Sequence, residues 1–426
     1  MSFRIARVVA LALAIAIVCS TQPLARAGDP RTGPVAEVRG LWVLRTSMTS
    51  PQSIAEVIRT AVAGGYNTLL VQVRSRGDAY YKSPIEPRAP ELSAQPAAFD
   101  PLRTTLTSAH AAGLKVHAWF NVNLVSSAAT LPKSREHVTA RHPEWLMVPR
   151  AIAPELLRLN PGSPAYIERL ARWTRGQSET VEGLFLSPIT EEAQAYTVSV
   201  VRSLAATYDI DGVHLDYSRY PSAEFDYSAA TLKAFRSAQL TMTRPDEQAR
   251  VDRELQTDPF AWTRAYPEAW LDFRVDRLTM LVRRIRGAVK NARPGATLSS
   301  AVLPDPAEAR VDHMQDWERW AGSNLLDVFC PMAYATETPA FSDQMAKAIA
   351  AGHGHPVWVG IGAWRLPVEQ TASRLTMVHR AGAAGVLLFS YDSLVSAGSP
   401  TGSYFTRLRS TLLNPVGGPA QGAEVR

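Results

Sequence analysis

The chain has 426 residues, 46% hydrophobic and 20% charged, with 25 Gly, 30 Pro and two Cys, which excludes a disordered, collagen-like or disulfide-stapled protein. A chain this long can bury a core that needs neither metal nor disulfide, and α/β barrels of this size form one domain. The net charge is +6, but residues 1–27 carry three Arg and no acid; the +3 left is too small and scattered for a nucleic-acid binder.

Residues 1–27 read as a secretory signal peptide. Arg4 and Arg7 precede an apolar run of 11 residues, Val8 to Val18, and Ala25-Arg26-Ala27 supplies the cleavage pattern. The run falls short of the ~20 residues of a spanning helix, so an uncleaved anchor is the weaker reading. Val18 before Cys19 disfavours a lipoprotein. Cleavage leaves Cys330 alone in Val328-Phe329-Cys330, a small core residue. The expected product is an exported monomer with no membrane attachment after cleavage.

Eight short apolar, β-branched runs follow: Gly40 to Leu44, Thr68 to Val73, Lys115 to Phe120, Gly212 to Tyr217, Thr297 to Leu303, Asp327 to Tyr334, Pro356 to Trp364 and Gly385 to Tyr391. Helical segments alternate with them, as in a parallel sheet buried on both faces, and eight such units predict a (β/α)₈ TIM barrel. Ser50-Pro51 and Asp100-Pro101 are helix starts, with stops at Gly64-Gly65 and Gly113. Pro267 opens a long helix to about Ala292, and Pro367 opens one ending near Gly382. About 90 residues separate strands 3 and 4, and about 80 separate strands 4 and 5. The first insertion holds an extra strand, Gly183 to Leu186, and a helix, Glu191 to Tyr208; the second begins with the polar stretch Ser222 to Pro259. Insertions this long belong over the C-terminal mouth. The barrel is expected to be a single domain, 36–413, followed by a Gly/Pro-rich tail, 414–426, read as disordered.

Strand C-terminal ends aim side chains into that mouth. They offer Arg39, Trp42 and Arg45; Gln72 and Arg74, followed by Asp78; His117, Trp119 and Asn121; Asp216, Tyr217 and Arg219; Tyr334, then Glu337; Trp364; and Tyr391 with Asp392. Sugars present C–H faces to aromatic rings and hydroxyls to polar partners, so this inventory suits a polysaccharide. The competing reading makes Trp42, Trp119 and Tyr334 core aromatics.

The strings Glu37-Val38-Arg39-Gly40-Leu41-Trp42, Val71-Gln72-Val73-Arg74 with Gly77-Asp78-Ala79, His117-Ala118-Trp119-Phe120-Asn121, Leu159-Asn160-Pro161-Gly162 and Tyr208 to Tyr217 resemble successive motifs of the glycosyl-hydrolase-like 10 family. The resemblance covers roughly residues 36 to 410. It implies a TIM barrel, export and hydrolysis of bacterial glycan, with peptidoglycan strands as the associated substrate. Tyr217 stands where many members carry a second Asp. The fourth strand resembles more distantly the chitinase pattern D-G-x-D-x-D-x-E, with His214 at its second acidic position and Ser218 where its acid would be.

Glycoside hydrolysis needs two carboxyl groups. Asp216, ending the fourth strand, is the first candidate, expected to face the mouth with His214 on the opposite side. The alternative makes it a rim partner of Arg219 or Arg74. Asp211, at the strand's far end, reads as a structural turn residue. For the second carboxyl, Glu337 ranks above Asp392 and Asp305, with a solvated loop residue as the alternative. Asp78 reads as a substrate ligand or an orienter of Arg74, while Arg39, Arg74 and Arg219 would hold acidic or N-acetylated groups unless they form rim salt bridges. No phosphate loop, nucleophile elbow or H-E-x-x-H is present, and the His353-Gly354-His355 pair lies below a strand, so neither cofactor nor metal is expected. The alternative to a hydrolase is a non-catalytic carbohydrate-binding barrel. A second carboxyl roughly 5 to 9.5 Å from Asp216 would distinguish the two.

Overall fold

The computed structural model describes residues 37–396 and 403–414. The segment read as a signal peptide, and all but the first residue of the one read as a disordered tail, lie outside these residues. Among the described residues ten strands form: β1 Val38–Val43, β2 Thr68–Arg74, β3 Lys115–Asn121, β4 Leu124–Ser127, β5 Gly183–Phe185, β6 Gly212–Asp216, β7 Thr297–Val302, β8 Val328–Ala333, β9 Trp358–Ile361 and β10 Gly385–Leu388. Eight close into a parallel barrel in the order β1-β2-β3-β6-β7-β8-β9-β10, and β4 pairs antiparallel with β5 outside it. Each barrel strand lies within a few residues of its expected run.

Strand alternation divides the core in two. Trp42, Leu70, Trp119, Cys330, Trp358 and Leu387 fill the barrel interior, while Leu41, Val43, Leu69, Val71, Ala118 and Leu215 face the helices. Both faces are dry, which is why the strands read as continuous apolar runs. The interior is tight: a Cβ on Gly212 would sit 2.4 Å from His117 Nδ1, and one on Gly360 2.8 Å from the Trp42 ring.

The helices keep their written signals. Pro51–Gly64 starts on a capping box between Ser50 and Ser53 and ends at Gly65, whose φ of 80° suits glycine. Such a cap stabilises a helix start by about 0.5–2 kcal/mol. Pro101–Ala111 is capped by Asp100, and Pro267–Ala292 has its expected bounds. Asp211 is the structural residue expected, its carboxylate 2.9 Å from His110 Nε2 and accepting the Val116 N–H at 2.8 Å.

The two insertions share a second core. Val125, Leu146, Leu156, Leu184, Phe235, Trp262 and Trp270 are buried together. The polar stretch after β6 contains helices Ala229–Leu240 and Pro245–Leu255. This body flanks the ends of β3 and β6, so it decides which residues reach the mouth beside Asp216.

Candidate active site

β3 and β6 run side by side, with Asn121 opposite Asp216 at their C-terminal ends. Immediately beyond, the Val122 N–H donates to the Asp216 carbonyl at 2.7 Å and the Asn123 N–H to that of Tyr217 at 3.2 Å. Tyr217 takes a left-handed φ of 49°, a conformation that costs a non-glycine residue roughly 1–3 kcal/mol. The chain turns sharply there, and Tyr217 enters a cleft of about 350 Å³.

Gln72, Trp119, Asn121, Asp216, Tyr217, Arg219 and Tyr334 all line this cleft, as the sequence reading placed them at the mouth. Trp119 Nε1 donates to Asp216 Oδ2 at 3.1 Å, and the Tyr217 N–H donates to Oδ1 at 2.7 Å. Burial nevertheless pushes the Asp216 carboxyl up to about 6, against the lowering by these donors and by Arg219, with the charge of Glu182 adding to the rise. Asp216 is thus a half-buried acid that exchanges its proton near neutrality.

Glu182 shares the cleft and was not a sequence candidate. It immediately precedes β5, forms an ion pair with Arg219 and is 38% exposed in its side chain. Arg219 in turn lies over the Tyr217 ring, 4.8 Å from its centroid. The sequence candidates lie at or just beyond the ends of barrel strands, whereas Glu182 comes from the edge of the added β4–β5 pair. The usable signal was an acid beside the extra strand that was already legible.

Arg45, Ser75 and Arg76 also line the cleft. Arg45 Nη1 donates to Gln72 Oε1 at 3.3 Å, while Glu91 lies 3.9 Å from Arg45 and 4.0 Å from Arg76. Arg45 Nε, Ser75 Oγ and Asn121 Oδ1 are buried without hydrogen-bond partners. Buried polar atoms left unpaired cost about 1–3 kcal/mol each.

Other sequence candidates lie elsewhere. Trp42 is deep in the barrel, its Nε1 donating to His214 Nε2 at 3.0 Å. His214 therefore carries its proton on Nδ1, 3.0 Å from Ser299 Oγ, and burial holds the ring neutral. It faces inward beneath Asp216, not opposite it, because residues two apart share a strand face. His117 is lower still, against Trp358, and burial pushes its imidazole down to about 4.

Arg74 is fully buried in a bidentate pair with Glu86, its Nε 2.9 Å and its Nη2 2.7 Å from Oε1, and it also donates to the Asn121 carbonyl. It joins β2 to β3 and is closed to substrate. Asp78 is buried beside the cleft wall, and burial with Glu91 and Glu86 nearby pushes it up to about 7. Arg39 faces outward at the barrel's lower end, its Nε on the Gly65 carbonyl at 2.8 Å. Tyr391 is buried against Phe405.

Trp364 stands on the rim behind Tyr334, their ring centroids 5.1 Å apart. Glu337 is exposed at the start of helix Thr338–Ala351 and does not line the cleft. Asp305 caps helix Pro306–His313, and Asp392 accepts the Leu44 N–H at 2.7 Å and the Ser47 hydroxyl at 2.6 Å, bracing the loop after β1. Among the described residues, no helix is long and apolar enough to cross a membrane.

The model of the family described as Glycosyl hydrolase-like 10 matches residues 37–170 and 164–361. The chain is 26% identical over 290 residues to Glycosyl hydrolase YngK of Bacillus subtilis, a match covering 63% of this chain but only 46% of that protein. It is 23% identical over 406 residues to Glycosyl hydrolase DigH of Escherichia coli, covering 81% of this chain and 78% of that one. Among solved structures, it is similar to the PgaB (BpsB) glycoside hydrolase domain from Bordetella bronchiseptica, with a TM-score of 0.56 and 15% identity over 88% of this chain and 99% of that one. The β-amylase catalytic domain from Paenibacillus polymyxa gives a TM-score of 0.54 and 14% identity, covering 90% of this chain and 100% of that one. At these identities the structural likeness establishes the barrel fold alone.

Proposed function

The chain belongs to the glycosyl hydrolase-like 10 family, and we propose that it is exported and hydrolyses O-glycosidic bonds in a bacterial polysaccharide, the glycan strands of peptidoglycan. The observation that carries this reading is the pair of carboxylates in one cleft: Asp216, able to hold a proton near neutrality, and Glu182, ion-paired with Arg219. Asp216 donates its proton to the leaving glycosidic oxygen as that bond to the anomeric carbon breaks. Glu182 either takes a proton from the attacking water, giving inversion, or attacks the anomeric carbon itself to form a glycosyl ester that water, deprotonated by Asp216, then cleaves, giving retention. Tyr217 and Tyr334 supply faces for sugar rings, and Gln72, Arg76 and Arg219 supply polar groups for ring substituents. Two carboxylates lining one cleft, in a member of this family, favour a hydrolase over a binding-only barrel.

The test uses purified protein and isolated glycan strands, with products identified by mass and their anomeric form by NMR. Asp216→Asn preserves the shape but has no carboxyl proton. It should fold, bind strands and lose turnover by on the order of 10²-fold or more. Cleavage at the normal rate by this variant rules out the assignment.

A further inference from the structure

A second cavity, of about 520 Å³, lies entirely within the two insertions. Trp145, Leu159 and Tyr166 form its apolar walls, and Glu144, which meets His142 Nδ1 at 3.0 Å, and Glu192 stand exposed at its edge. Leu159 belongs to the Leu159-Asn160-Pro161-Gly162 string, which has no place in the catalytic cleft. Asn160 holds that string as a turn, its Oδ1 accepting the Gly162 N–H at 2.9 Å and its carbonyl accepting the Ser163 hydroxyl at 2.7 Å. Leu159 and Pro161 are thereby presented to the cavity.

The walls are fixed before any ligand arrives. Asp226 is fully buried and accepts the N–H groups of Val148 at 2.8 Å and Ser228 at 2.9 Å and the Thr231 hydroxyl at 2.6 Å. That carboxylate has no part in catalysis; it pins two cavity residues, Val148 and Ser228, to each other. The Trp145 ring stacks on His142 with centroids 3.6 Å apart, and its carbonyl accepts the Ser187 N–H at 2.8 Å.

We propose that this cavity is a second glycan-binding site, holding sugar units of the same strand that passes through the catalytic cleft; the inference rests on the glycan-hydrolase reading. Aromatic faces meet the C–H faces of pyranose rings, and the rim carboxylates accept sugar hydroxyls. A purely apolar ligand would strip water from Glu144 and Glu192 and return no partner. No Lys or Arg is among the lining residues, so the site does not suit an anion. The segment from Glu182, in the cleft, to Thr190, in the cavity wall, connects the two sites directly. Eight residues on, Thr190 lies at most about 29 Å from Glu182. An extended polymer spans any separation up to that bound, and a substrate too short to reach from one site to the other gains nothing from the second.

Two variants test this without touching the cleft. Trp145→Ala removes the aromatic wall, and Ala229→Trp, at an exposed lining position, obstructs the cavity and leaves the core alone. Turnover is measured on peptidoglycan glycan strands and on a tetrasaccharide prepared from them, with melting temperature as the check on folding. On strands, KM should rise about tenfold in both variants, the size of one lost aromatic anchor. On the tetrasaccharide, kcat/KM should stay within about twofold of the parent. Equal effects on both substrates, or none on strands with the folded Ala229→Trp variant, overturn the second site and leave the cavity to an apolar, cationic partner. Failure of the parent protein to cleave either substrate removes the hydrolase reading and this inference with it.

Discussion

Trp119 and Glu182 act on Asp216 in opposite directions. The indole N–H favours the charged carboxylate, while the negative charge of Glu182 favours the protonated acid. Trp119→Phe keeps most of the ring but removes the donor, so Asp216 should hold its proton to higher pH. Glu182→Gln removes a negative charge and frees Arg219, so Asp216 should lose its proton at lower pH. A carbon-NMR titration of the Asp216 carboxyl reads both shifts even in inactive variants; shifts of the same sign would contradict this arrangement. The same carboxyl bears on stability. Its native acidity, about 6, lies above the ordinary 3.8, so the folded state binds more protons between those values. The contribution is present below about pH 4 and is lost as pH rises through about 6. Asp216→Asn removes that loss, and at pH 7 the variant should be at least as resistant to denaturant as the parent. Alternation along β3 and β6 made Trp119, Asn121 and Asp216 legible from the sequence. It could not tell mouth from interior, because Trp42, His117 and His214 obey the same period at greater depth.

Arg74 and Glu86 hold the end of β2 to β3, and their removal should be felt along both elements. Arg74 is wholly buried, receives two carboxylate oxygens, also donates to the Asn121 and Val122 carbonyls and lies over Phe120. Tyr196 adds its hydroxyl to Glu86 at 2.9 Å. Glu86→Gln leaves the guanidinium buried without its counter-charge, a change that costs about 3–5 kcal/mol where such pairs are broken. Chemical denaturation should show a loss of that order, together with weaker glycan binding, because Asn121 sits on the disturbed backbone. A loss below about 1 kcal/mol would mean that the carbonyls alone hold Arg74. The sequence reading made Arg74 a substrate ligand because an Arg at a strand end looks the same whether or not an acid twelve residues on folds back over it. The strands were legible because burial on both faces writes a continuous apolar run, and the helices because Pro and Gly mark their ends. The shared core of the insertions was not: its residues, from Val125 to Trp270, are brought together only by the fold.

Barrel closure depends on the far end of the described chain. Helix Ser403–Leu413 packs against helices Pro51–Gly64 and Val368–Arg380, filling the outer layer between the first and last parts of the barrel. Phe405 meets Tyr66 edge-on with centroids 6.0 Å apart and stacks with Tyr391 at 5.8 Å, and the Tyr404 and Thr371 hydroxyls are 2.7 Å apart. The sequence reading ended the domain at 413 yet assigned no task to these residues, since eleven positions with three buried apolar side chains carry little periodic signal. Burying Phe405, Leu408 and Leu412 contributes about 1.5–3 kcal/mol each. Their sum is comparable to the whole net stability of a typical domain, about 5–15 kcal/mol. A chain ending after Ser396 exposes Tyr66 and Tyr391 and leaves the β1–β10 seam covered on one side only. It should melt many degrees lower than the full chain, or fail to give a cooperative transition in calorimetry. The proposed catalytic residues, Asp216 and Glu182, lie at the mouth, away from this helix, so whatever fraction stays folded should cleave strands with the parent's KM. An unchanged melting temperature would show that the barrel closes without its last helix.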